Sequence, residues 1–320
     1  MKAGAGRDRG EKSMVPRAEF SSYYDRPVVK EAVWGPDIPS YLFLGGLAGA
    51  SSALAAGAQL SGHGELARAA KVGAAGAISL SMAALVHDLG RPARFVNMLR
   101  VLKVTSPMSV GTWILSAYTP LALASAASAV TGKLPRAGLA ATLGAAPLGP
   151  AVAAYTSVLL ADTATPAWYG ARRELPYLFV GSAATAAGGF GLLTVSPDAA
   201  GPAARLATLG ALAELTAEKK LERNGSTTEP YRTGRPGALV RAGRILGAGG
   251  TVAALIGRRN RAVSALSGAA LLAGSALTRF GVFEAGRASA RDPKHTIEPQ
   301  RARLDVRSAS PTPNTAMPGV

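Results

Sequence analysis

Apolar residues run along this chain in eight nearly uncharged stretches, each about as long as a membrane is thick and bounded by short clusters of charge. A hydrocarbon core of roughly 30 Å takes about 20 apolar residues in a helix. The stretches lie at about Tyr41–Leu60, Ala69–Val86, Met108–Val130, Leu139–Ala161, Tyr177–Val195, Ala203–Ala217, Ala238–Ile256 and Val263–Phe283. Backbone groups in lipid have no water to bond, so they must pair within helices. The pattern therefore predicts an all-α, polytopic membrane protein of about eight transmembrane helices packed as helical bundles. The sixth stretch is short and carries Glu214, so it also fits a helix lying at the interface.

The same pattern divides the chain into four parts: an N-terminal tail over residues 1–39, a four-to-five-helix bundle over 40–196, the remaining spanning helices over 197–286, and a flexible C-terminal tail over 287–320. The first 39 residues are polar, and the first apolar run reaches full spanning length, so no cleavable signal peptide is expected. Small residues recur at four-residue spacing, as at Gly45 and Gly49 and at Gly73 and Ala77. Such pairs let helix backbones approach closely in lipid.

Composition narrows the chemistry. With no cysteine among 320 residues, the chain forms no disulfide, no thiolate-ligated iron–sulfur cluster and no thiol nucleophile. His63, His87 and His295 are scattered without a ligand spacing, which predicts no bound metal or haem. The glycine runs lie inside predicted helices and lack the lysine of a phosphate-binding loop.

The net charge is +16, which in a soluble protein would suggest nucleic acid. Here it sorts by side: of 35 Lys and Arg, 27 fall on the side that holds both termini and 8 on the other. The positive-inside rule then predicts a multi-pass protein of the cell membrane with both termini cytoplasmic. The remaining charge suits anionic lipid, not nucleic acid.

Polar side chains near membrane depth are expensive and mark candidate sites. Asp37 and Tyr41 open the first helix; His87, Asp88 and Arg91 close the second; Trp113 lies in the third; Tyr155 and Asp162 end the fourth. With alternating helix direction these gather toward the face of the termini. A quinone needs an apolar slot, donors at its carbonyl oxygens and a proton route. Tyr41 and Tyr155 suit the donors, while Asp37, Asp88 and His87 suit proton transfer, with Arg91 against a carboxylate or lipid phosphate. The tyrosines and Trp113 equally suit an interfacial aromatic belt, and Asp88 with Arg91 a structural salt link.

Four segments carry a resemblance: 41–49 (YLFLGGLAG), 88–95 (DLGRPARF), 106–113 (SPMSVGTW), and 155–160 (YTSVLL) followed by Pro166, Ala167 and Trp168. Together they resemble the NrfD-like, polysulfide reductase membrane subunit family over roughly residues 37–195. The resemblance implies a membrane anchor of a respiratory redox complex, not catalytic alone. It would exchange electrons between the quinone pool, menaquinone or ubiquinone, and an iron–sulfur ferredoxin-like subunit wired to a molybdopterin catalytic subunit. This chain has Tyr41 where a histidine can occur in the family. Two other classes share the topology. A secondary transporter would carry buried charge at the midplane, whereas the charges here are expected at helix ends. A purely structural anchor would share every feature but the redox role.

Overall fold

The computed structural model describes residues 27–91, 93–257 and 259–309. Most of the expected N-terminal tail (1–26) and the end of the C-terminal tail (310–320) lie outside the described residues. The regular structure is helical: α1 (Asp37–Leu60), α2 (Gly64–Leu89), α3 (Ala93–Met98), α4 (Pro107–Thr131), α5 (Pro135–Ala161), α6 (Pro166–Gly170), α7 (Leu175–Thr194), α8 (Gly201–Leu221), α9 (Gly234–Ile256), α10 (Arg261–Arg291) and α11 (Lys294–Ala309), with a 3-10 turn at Gly225–Tyr231 between α8 and α9.

The helix boundaries have local causes. Proline stands at the first turn of α4, α5 and α7, where a missing N–H costs nothing and the fixed φ suits the helix. Gly90 and Gly132 end α2 and α4 with φ near 70°, a left-handed conformation that glycine adopts without strain. Asn260 caps α10 by accepting from the backbone N–H of Ala262 and Val263.

Seven of these helices are long and apolar enough to cross a membrane: α1, α2, α4, α5, α7, α9 and α10. The sixth predicted stretch, now α8, has 21 residues but is too polar to join them. Packing shows what it does. Gly181 of α7 lies against Gly210 and Glu214 of α8, and Gly188 and Gly191 lie against Ala203, so the two helices run antiparallel along their full length. The acidic side chains of α8 point inward: Glu214 and Glu218 are 7% and 3% exposed. It thus runs alongside α7 through the bundle, with Glu214 and Glu218 turned inward and Leu209 and Leu212 outward.

Glu31, just before α1, accepts from Arg287 and Arg291 at the end of α10, with contacts of 2.6–2.8 Å. The two ends of the bundle therefore meet at one face, called here the terminal end, which requires an even number of crossings. The guanidinium groups hold the Glu31 carboxyl below the usual carboxylate range, the hydrogen bond from Arg291 contributing most.

At the centre stand α1 and α7, the most enclosed spans. The small-residue spacing of α1 serves this crowding: Gly49 meets Gly149 of α5 backbone to backbone, and Gly46 faces Ala183 of α7 and Arg279 of α10. The second predicted pair is used likewise, with Gly73 under the Phe190 ring and Ala77 buried. Near the terminal end Trp168 is fully buried, its Nε1 donating to the Val282 carbonyl at 2.9 Å, between the rings of Trp34 and Phe283.

The stretch read as a flexible tail from Arg287 is helical as far as Ala309. It docks on the terminal end, where Lys294 pairs with Glu229 at 2.7 Å and His295 Nδ1 lies 3.1 Å from the Ser226 carbonyl.

Candidate functional site

The sequence-predicted site residues separate into three groups. The first is a tyrosine pair. Tyr41, wholly buried in the second turn of α1, donates its hydroxyl proton to the Tyr155 hydroxyl of α5 at 3.3 Å, long for an O–H···O bond. Ser81 of α2 donates to the Tyr41 carbonyl at 3.1 Å and so ties that turn of α1 in place. The Tyr155 ring occupies the space where any side chain at Gly111 of α4 would stand, so glycine at that position is what admits the ring.

Tyr155 opens on a cleft of about 540 Å³ at the terminal end, between the starts of α4 and α6 and the end of α5. Val104, Pro107, Val110, Val158 and Ala161 supply apolar walls, and Asp162, Tyr169 and Arg172 supply polar groups. The Arg172 guanidinium lies 4.3 Å from the centre of the Tyr169 ring. This volume falls in the range of small-molecule sites, as does the mixture of apolar wall and few polar groups. Because Tyr155 accepts from Tyr41, its own proton is left to donate into the cleft.

The second group lies where α1 begins and α2 ends. His87 Nδ1 stands 2.9 Å from Asp37 Oδ2, with the histidine side chain 80% exposed. Asp88 beside it takes a hydrogen bond from the backbone N–H of Gly35. Neither these residues nor Arg91 line the cleft. Arg91 is exposed beyond the end of α2, and no Asp88–Arg91 pair occurs among the ion pairs of the described residues. The third group is Trp113 alone, 41% exposed on α4 and outside the cleft.

Sequence reasoning missed a set of charged groups in the second half of the bundle. Arg279 is wholly buried, and its Nη2 donates to the Phe179 carbonyl at 2.6 Å. Glu214 accepts from Thr278 at 2.9 Å, and Glu218 from Arg244 at 2.5 Å. The expectation that charge sits only at helix ends is thereby corrected. A signal existed: Glu214, Glu218 and Glu222 share one face of a helix.

Fold and cleft together define a multi-pass helical membrane protein whose open pocket is entered near one membrane surface and backed by buried hydroxyl groups. No curated protein matches the chain. The family model "Polysulphide reductase, NrfD" matches residues 28–217, more than half of the sequence. The chain belongs to that family, which makes it a membrane subunit of the kind found in molybdoenzyme complexes.

Proposed function

We propose that this protein exchanges electrons between the quinone pool and an iron–sulfur partner subunit of a molybdopterin oxidoreductase, of formate dehydrogenase-like or polysulfide reductase-like type. The observation that carries the reading is the Tyr155 hydroxyl at the wall of the cleft, backed by Tyr41. The apolar wall suits a quinone ring, and the Tyr155 proton suits one carbonyl oxygen. Tyr41 can replace that proton from behind, so the pair is a two-step donor whose inner member water cannot reach. Asp37, His87 and Asp88 form a separate titratable group at the same end, suited to proton exchange with the aqueous phase. Metal and haem belong to the partners in this reading, menaquinone or ubiquinone is an exchangeable substrate, and the terminal end faces the cytoplasm.

Family membership favours this reading over a secondary transporter, whose expected buried charge is now known to be present. The test is quinone-dependent activity of the assembled complex, compared with dye-linked activity of the catalytic partner. Tyr155→Phe and Tyr41→Phe keep the rings and remove a hydrogen bond worth roughly 0.5–1.5 kcal/mol net, about two- to tenfold in quinone affinity. Dye-linked activity should be unchanged. Full quinone activity in both assembled variants places the quinone elsewhere.

A further inference from the structure

The buried charges of the second half-bundle carry an inference that does not rest on the quinone reading. Glu214 and Glu218 of α8 and Glu222, which caps it, stand one turn apart in a row running from the interior to the terminal end. Arg244 of α9 bridges the outer two, Nε to Glu218 at 2.5 Å and Nη2 to Glu222 at 2.7 Å. At the inner end Glu214 accepts from Thr278 of α10, with the Arg279 guanidinium near enough to be felt but outside ion-pair distance. The Arg279 guanidinium lies 3.8 Å from the centre of the Phe179 ring and is wholly buried.

Two features separate this row from a finished structural network. Arg279 Nε and Nη1 and Glu218 Oε1 are buried without a hydrogen-bond partner, an expense that a packing role does not require. Glu214, the innermost carboxyl, also takes part in none of the ion pairs of the described residues, and in an apolar interior an unpaired carboxyl favours uptake of a proton. The other side chains facing Glu214 are hydroxyls, Thr278 of α10 and Ser182 of α7. A narrow cavity of about 10 Å³ lies between α8 and α9, lined by Glu214, Glu218, Gly243, Arg244 and Gly247. That is close to the room one water needs, and too little for a hydrated ion.

We propose that Glu214 and Glu218 form a proton-exchange site inside the membrane, filled from the terminal end along the Glu222–Arg244 row and ending at the buried Arg279. A proton passing from the Glu218 carboxyl to the Glu214 carboxylate leaves Glu218 ionised against Arg244. The row leads no further than Arg279, so access is from one face only.

A hydrophobic carbodiimide reports the site directly in the full chain in membranes. The O–H of a protonated carboxyl adds across its C=N bond, and rearrangement leaves an acylurea of added mass. In the wild-type protein this tag should map to Glu214 or Glu218 and decline as pH rises. Infrared spectra should show a buried protonated carboxyl that exchanges its proton in D2O. Glu214→Gln should remove that band. Glu218→Gln should keep it and slow its exchange roughly a hundredfold, the lower end of what a positioned proton donor contributes. A wild-type protein tagged on neither residue, or with a carboxyl band that does not exchange, overturns the proposal. Those wild-type measurements decide it even where a variant fails to fold. Loss of quinone activity with proton exchange intact, or the reverse, separates this site from the cleft.

Discussion

At the residue scale, the site depends on side chains that are absent as much as on those present. Gly49 and Gly149 bring the backbones of α1 and α5 into contact, and a Cβ on either would enter the other's carbonyl. Gly49→Ala should therefore lower the thermal unfolding temperature in detergent, by the equivalent of about 1–3 kcal/mol of overpacking. Gly57 of the same helix has nothing within 4 Å of its would-be Cβ. Gly57→Ala should be neutral or stabilising, by up to about 1 kcal/mol, because alanine favours the helix. Equal effects of the two substitutions would show that the α1–α5 crossing is looser than described. Tyr41 and Tyr155 could be singled out from sequence because a hydroxyl at that depth is costly. Their meeting could not, since it joins residues 114 positions apart.

At the element scale, helix number and order could be read directly, because spanning a bilayer sets a length that the apolar runs display. The ends could not. The second helix starts at Gly64, taking in Glu65, Arg68 and Lys71, and α10 runs on to Arg291. Charged side chains within a helix become tolerable when neighbouring helices bury or pair them, and that information is not local. Arg279, buried inside α10, is such a side chain, and Glu214 weakened α8 as a span for the same reason. The walls of the cleft come from the segment before α4, from α5 and from the region around α6, which no single stretch of sequence brings together.

The Glu31 clasp yields a pH dependence. Its carboxyl is held below the ordinary value, so its contribution is fully present above that value and is lost as pH falls through the lowered one. The partners are partly exposed, which limits the contribution to about 1 kcal/mol or less. The stability difference between the wild type and Glu31→Gln should be constant near neutral pH and vanish in acid. A difference that persists below the carboxylate range would mean that the clasp does not hold the termini through charge.

At the scale of the whole molecule, the meeting of Glu31 with Arg287 and Arg291 brings the two ends of the bundle to one side. Reporter fusions after Lys30, Lys219 and Arg291 should give the cytoplasmic signal, and fusions near Gly62 and Gly132 the opposite one. A shared signal at Lys219 and Gly62 would remove α8 as a crossing. The position of α1 also bears on biosynthesis. It precedes all its packing partners in the chain; α2 follows at once, but its remaining walls are supplied by α5, α7 and α10, and the contact that ties its entry in place joins residues 256 apart. Insertion follows chain order, whereas enclosure of α1 follows packing order. Its bare glycine face must wait in lipid, or against the insertion machinery, until α10 has been made.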